Sequence, residues 1–173
     1  MSDVASAAPL TSETVSAIGV RFDRRSAEAR ACRLQFHGSP LSEPPAITNP
    51  ASTTLHADQL RIWHDLERDE STLEQRELLS MQLTSIALQL CQQLMSTEAD
   101  EVLATGIMGA GLWSCDDVEA RSYTELVNTS VIAEKLGTTV IDDFPGRDLA
   151  QGGRGGPLEI HGRWMLLADR SSI

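Results

Sequence analysis

A chain of 173 residues with 41% apolar and 23% charged side chains has the length and balance of one folded domain, not of a disordered segment. Its formal net charge of −11, with no basic run, argues against nucleic-acid binding and against a polybasic membrane anchor, both of which need local lysine and arginine surplus. Cys32, Cys91 and Cys115 are scattered and form no CxxC pair, which disfavours a disulfide scaffold or structural zinc. No apolar stretch approaches the roughly 20 residues of a membrane helix. The opening "MSDVASAAPLTSET" lacks the basic and apolar regions of a secretory signal, so a soluble cytoplasmic protein is expected.

Residues 1–12 are small and polar and are expected to form a flexible tail. Two alternating runs follow, "VSAIGVRF" and "RACRLQF", with "DRRSAE" able to turn between them; this predicts a β-hairpin. The proline-rich "HGSPLSEPPAITNP" reads as a loop, with a third short strand near Ile47–Leu55. A short helix is expected around "ADQLRIWHDLER". Leu79, Leu83, Ile86, Ala87, Leu90 and Leu94 then fall at helical spacing and predict a helix over about 72–96, capped by Ser71 or Thr72.

The second half reads as β–loop–α–β. "EVLATGI" is a strand, and "MGAGLWSCDD" a glycine-containing crossover. "YTELVNTSVIAEKLG" is a helix stopped by Gly137, and "TTVIDDF" a β-branched strand suited to a buried, parallel position. "LEIHGRWMLLAD" closes as a helix with Ile160, Trp164 and Leu167 on one side. A hairpin followed by βαβ points to an α/β domain with a mixed sheet.

The stretch with the most chemical content is "IDDFPGRDLAQGGRGGPL". Asp142, Asp143 and Asp148 lie at or just past a strand end, where open α/β sheets bind ligands and where a carboxylate can serve as a general base. Gly152, Gly153, Gly155 and Gly156 remove Cβ atoms and would let the backbone approach a ligand. The same residues also suit a flexible turn whose acids cap the next helix, and composition leaves the two readings open. "TGIMGAG" is GxxGxG rather than the dinucleotide fingerprint GxGxxG, so a tight strand-to-loop connection is at least as good an account. His56, His64 and His161 match no metal spacing, and no metal site is expected. No GxSxG or Cys–His pairing suggests a nucleophile.

The block "VIAEKLGTTVIDDFPGRDLAQGGRGGPL" resembles the bacterial anhydro-N-acetylmuramic acid kinases, matching at Ile132, Ala133, Glu134, Gly137, Val140, Asp143, Phe144, Arg147, Asp148, Ala150, Gly152, Gly153, Gly155, Pro157 and Leu158. The resemblance covers about residues 14–173, weakly before 100. It implies a single lobe of an actin-like (ribonuclease H-like) ATPase fold over 13–173, a mixed sheet with an N-terminal β-hairpin and flanking helices. It implies ATP-dependent phosphorylation, with Mg²⁺ and with ring opening, of a 1,6-anhydro amino sugar in peptidoglycan recycling. Asp148 takes the place of the base that activates water at the anomeric carbon. Asp143, Arg147, Gly152, Gly153 and Arg154 are the implied substrate-binding positions.

The departures from the family are also specific. The family's glycine/serine phosphate loop is here "AIGVRFDRRSAEAR", its "HGQ" is Met108–Ala110, and its "GGQGAP" is "GGRGGP". The chain ends near "LLADRSSI", about where a second lobe carrying most of the adenosine site would begin. A first lobe alone is therefore expected to be inactive. The alternative is a catalytically inactive relative serving as a sugar-sensing or partner-binding module. Apolar surface left by a missing lobe would favour a homodimer.

Overall fold

The computed structural model describes residues 14–37, 44–96, 101–115 and 121–156. The expected tail at 1–12 and the closing helix with His161, Ile160, Trp164 and Leu167 lie outside the described residues.

Strands β1 (Val15–Asp23) and β2 (Glu28–Phe36) pair antiparallel from Val15 opposite Phe36 to Asp23 opposite Glu28. The alternation that predicted them has a plain cause. Ser16, Ile18, Val20 and Phe22 face a covered side of the sheet, and their partners on that face of β2 are Ala29, Ala31 and Arg33. The sequence pattern predicts the alternating set Cys32, Leu34 and Phe36 there, but the register pairs Ile18 with Arg33, Val20 with Ala31 and Phe22 with Ala29. The turn between them is closed by Asp23, whose Oδ1 accepts from the Arg25 N–H at 3.0 Å.

Strand β3 (Ala46–Thr54) pairs antiparallel with β2 at the sheet edge. It begins inside the stretch expected to be loop. Its register shifts between Ala31 and Arg33 of β2, opposite Asn49 and Pro50, and Asn49 is left-handed at φ 48°. An edge strand with a bulge tolerates Pro50 because no ladder donor is lost there.

Helix α1 (Ala57–Glu67) and the longer α2 (Leu73–Met95) follow. Thr72 starts α2 by accepting from the Gln75 N–H at 3.2 Å, while Gln75 accepts from the Thr72 N–H at 2.9 Å, a reciprocal cap. The predicted stripe is the packed one: Leu79, Leu83, Ala87, Leu90 and Leu94 are buried, with Cys91 added, and Ile86 is only half-buried. Burial pushes the Cys91 thiol up to about 12, so it behaves as a small apolar core residue. Trp63 of α1 is fully buried against Phe22 and donates through Nε1 to the Gly111 carbonyl at 3.4 Å. Arg33, wholly buried in β2, donates to the Leu94 carbonyl in the last turn of α2 at 3.4 Å. That turn has no basic residue of its own, and the guanidinium complements its exposed carbonyl dipoles.

Strand β4 (Val102–Met108) runs parallel to β1. The next segment departs from expectation twice. "GLWSC" is not a crossover but strand β5 (Gly111–Cys115), which pairs antiparallel with β6 (Arg121–Glu125) in a separate two-stranded sheet. The helix expected from Tyr123 starts later, as α3 (Thr129–Leu136), because Asn128 accepts from the Val131 N–H at 3.2 Å and caps it there. Gly137 stops it in a left-handed conformation, as expected.

Strand β7 (Thr139–Ile141) is parallel to β4 as predicted, but it is not buried. It is three residues long at the sheet edge, and Ile141 is 42% exposed. Helix α4 (Phe144–Ala150) follows at once.

The main sheet therefore has the order β3-β2-β1-β4-β7, antiparallel on the hairpin side and parallel beyond β1. This is the mixed sheet with N-terminal hairpin and flanking helices expected for one lobe of an actin-like ATPase. The carboxyl ends of β1, β4 and β7 lie at one end of it, and the glycine segments follow β4 and β7 there. Among the described residues, no helix is long and apolar enough to cross a membrane. Leu83, wholly buried where α2 meets the sheet, tests the packing: Leu83→Ala should cost about 2–5 kcal/mol, read as a lower urea midpoint with unchanged slope.

Candidate functional site

Helix α4 is built around two aspartates. Asp143 is left-handed, at φ 47° and ψ 38°, and caps the helix by accepting from the Gly146 N–H through Oδ1 at 3.1 Å. A Cβ at Gly146 would overlap that carboxylate. Asp143 thus has one oxygen committed to starting the helix. Asp142, just before it, accepts from the Thr129 hydroxyl at 2.6 Å and ties the end of β7 to the start of α3.

Asp148 lies five positions further on. That is roughly 140° around and 7.5 Å along a helix axis, so the two acids do not share one helix face. The helix ends in a paired stop: the Gly153 N–H donates to the Asp148 carbonyl at 2.8 Å and the Gly152 N–H to the Leu149 carbonyl at 2.9 Å. Gly152 is left-handed at φ +82°, which the motif needs. The chain then folds back so that the Gly155 N–H donates to Asp148 Oδ2 at 2.7 Å. A Cβ on Gly153 would overlap the same carboxylate. The glycine segment is therefore wrapped around Asp148. Its Oδ1 makes no hydrogen bond among the described residues.

The wrap is held from outside by Trp113 of β5. Gly155 is left-handed at φ +75°, and the Trp113 ring occupies the space where its Cβ would stand. Trp113 also meets Tyr123 of β6 edge-on, with ring centroids 5.1 Å apart. Tyr123 in turn lies over Gly111, where a Cβ would strike its ring, and donates to Glu125 Oε2 at 3.2 Å. Glu125 Oε1 accepts from the Leu126 and Val127 N–H groups at 3.1 and 3.4 Å. Burial pushes the Glu125 carboxyl above its usual range despite those donors, and it pushes the Tyr123 phenol up as well, with Glu125 and Asp143 adding to the effect.

The residues expected to bind substrate are only partly brought together. Asp148, Gly153 and Arg154 lie in one wrap, with Arg154 lining an open depression of about 310 Å³ together with Trp113, Arg121, Gly155 and Gly156. The Gly152 and Gly153 N–H groups are spent on the helix stop, so their contribution beside Asp148 is the missing Cβ. Arg147 is exposed on α4, and Asp143 sits at its far end.

The sequence pattern does not single out Trp113, Tyr123 and Glu125, because it predicts a crossover and a helix where their strands lie. The signal for β6 was Tyr-Thr ahead of Asn128, β-forming residues before a capping one. "TGIMGAG" is accounted for by packing: a Cβ at Gly109 would collide with the Phe22 carbonyl, and one at Gly111 with Tyr123.

At the β1–β2 turn, among the described residues, the cofactors implied by the resemblance find no cradle. The β1–β2 turn carries Arg24 and Arg25; Arg24 pairs with Glu67 and lies over Trp63, 5.2 Å from the ring centroid. Asp23 is engaged with the Arg25 N–H, and the turn has no glycine to let a phosphate approach the backbone. Among the described residues, no group of three or more His, Cys, Asp or Glu side chains converges where a metal ion could bind.

Two outcomes follow from this geometry. Gly155→Ala should destabilise the fold by about 1–3 kcal/mol, from a strained φ and a clash, and pairing it with Trp113→Ala should recover part of the loss in a thermal double-mutant cycle. A raised folded-state pKa means that Glu125 contributes stability at low pH and loses it as pH rises through that value. Glu125→Gln should therefore raise the melting temperature relative to wild type more at pH 7.5 than at pH 4.5.

Known proteins match this chain over the same region. The family model for anhydro-N-acetylmuramic acid kinase matches residues 42–172. An anhydro-N-acetylmuramic acid kinase of Nitrosomonas europaea is 35% identical over 131 residues, covering 74% of this chain and 35% of the relative. One of Nitrosospira multiformis is 38% identical over 69 residues, covering 40% and 19%. One of Burkholderia pseudomallei strain K96243 is 31% identical over 122 residues, covering 67% and 30%. The chain thus spans about a third of the length of the first of these relatives and less of the others. With a matched segment that takes in β3 to α4 and the whole Asp148 wrap, the chain belongs to the anhydro-N-acetylmuramic acid kinase family.

Proposed function

We propose that this chain supplies the sugar-side part of a cytoplasmic kinase acting on a 1,6-anhydro amino sugar, with Asp148 as the general base. The observation that carries the reading is the Asp148 carboxylate, oriented by one backbone N–H at Oδ2 and open at Oδ1. A water held at Oδ1 would lose its proton to Asp148 as its oxygen bonds to the anomeric carbon. The C1–O6 bond breaks, and the electron pair stays on O6, which becomes the phosphoryl acceptor. Binding of the sugar against a glycine wrap brings ring atoms close to the carboxylate, since no side chain stands between them.

The phosphate donor would be ATP with Mg²⁺, as in the family. No step of the transfer is assigned to residues here, because the β1–β2 turn offers no phosphate cradle. Donor binding would belong to a second lobe. Leu103 and Ile141, exposed apolar side chains on the main sheet, offer surface for such a lobe or for a second copy of the chain.

The same turn favours a second reading, a kinase relative that senses a sugar or binds a partner without turnover. The test is ATP consumption dependent on 1,6-anhydro-N-acetylmuramic acid, measured on the full-length gene product. Turnover that falls at least roughly 100-fold in Asp148→Asn, with sugar binding kept, supports the base assignment. Sugar binding without any ATP turnover in the wild type supports the sensor.

A further inference from the structure

We propose that the closing segment of the chain, residues 158–169, docks on the second face of the main sheet, with Trp164 seated over the paired glycines Gly19 and Gly106. The inference stands apart from the sugar-kinase reading. The first face is fully used: Ile18, Val20 and Phe22 share one core with Leu83 of α2, Trp63 of α1 and Ile132 of α3. The same register sets the opposite face. Two rows cross it over β2, β1 and β4, Cys32–Gly19–Gly106 and Leu34–Ala17–Ala104. Ile47 of β3, paired with Leu34, extends the apolar surface and is 55% exposed. At the centre, the Phe144 ring stands 4.0 Å from where a Gly106 Cβ would be. Among the described residues, nothing comes within 4 Å of a Cβ at Gly19.

The parallel part of a sheet is normally buried on both faces, so an apolar trough along β1 and β4 calls for a cover. The chain itself supplies one. The described residues stop at Gly156, which lines the depression beside Trp113 just beyond β4, and 17 residues follow it. "LEIHGRWMLLAD" carries Ile160, Trp164 and Leu167 on one side at helical spacing. A helix of that length spans roughly 18 Å, and a strand the length of β4 roughly 23 Å, so the segment can return along β1 and β4 without leaving the face. Two glycines side by side make room for one large side chain, and the indole is the largest available. Charge agrees with this direction. Arg21 and Arg30 are cross-strand partners on this face at the carboxyl end of β1, and Glu159 opens the segment at that end. The tether favours this occupant over a second copy, because a segment joined at Gly156 meets the sheet at an effective concentration on the order of millimolar.

Thiol labelling of the 173-residue chain tests this. Cys32 lies beside Gly19 on the same face, while Cys91 is buried in the core. In a Cys115→Ser background, an aromatic disulfide reagent therefore reports on Cys32. Trp164→Asp should speed its labelling by about 10-fold or more, with circular dichroism checking that the variant is folded. Gly19→Val supplies a second measurement. On a bare face it would replace a strand glycine by a good strand former and raise the urea midpoint; beneath Trp164 it displaces the indole, so the midpoint should fall and Cys32 labelling quicken. If Trp164→Asp does not fold, Gly19→Val alone decides. Equal labelling of Cys32 in wild type and folded Trp164→Asp overturns the proposal, as does a raised midpoint in Gly19→Val. Labelling that slows as chain concentration rises, with a dimer in light scattering, assigns the face to a second copy and also overturns it.

Discussion

Gly155 has no side chain, and the Trp113 ring stands where one would be. That close approach joins the small β5–β6 sheet to the segment after α4, and the geometry of the site follows from it. With Gly155 held under the indole, its N–H meets Asp148 Oδ2, and the chain from Gly152 to Gly155 is drawn around the carboxylate. The same contact leaves Arg154 and Gly156 lining the depression beside Trp113. A glycine-rich segment would otherwise be free to sample many conformations. Here two hydrogen-bonded stops and one ring fix it.

The support reaches further than one contact. Trp113 leans on Tyr123, Tyr123 covers Gly111, and the Gly111 carbonyl accepts from Trp63 in the main core. Gly109 presses on the Phe22 carbonyl at the end of β1. The glycines after β4 thus let the small sheet sit close against the large one. Rigid backing of this kind is what a general base needs, because its usefulness depends on reaching one proton in one direction. Glu125 sits beneath the platform with its carboxyl held by three donors. It illustrates how burial can outweigh hydrogen bonding in setting a carboxyl's protonation.

The contrast between the two ends of the proposed chemistry is instructive. Gly152, Gly153 and Gly155 each have a structural role around Asp148. The β1–β2 turn is filled by arginine packing: Arg24 lies over Trp63 and pairs with Glu67. That arrangement stabilises α1 against the hairpin and closes the backbone to an approaching phosphate.

Much of the fold was legible from residue order. The alternation of Ile18, Val20 and Phe22, the leucine stripe of α2 and the stop at Gly137 reflect local periodicity and capping, which the chain carries in itself. The ordered motif around Asp148 pointed to the family and to the acid. The β5–β6 pair was not legible, because two short strands are defined by each other and by the glycines beneath Tyr123, not by any pattern within either. Nor could β7 be seen to be an edge strand, since its β-branched residues suit a buried and an edge position equally. Sequence alone determined the hairpin, the α2 stripe and the family to which the motif around Asp148 belongs. Only the tertiary structure decided that Gly155 would lie under Trp113 and that Arg121 and Arg154 would line one depression, because those placements join segments far apart in the chain that share no local signal.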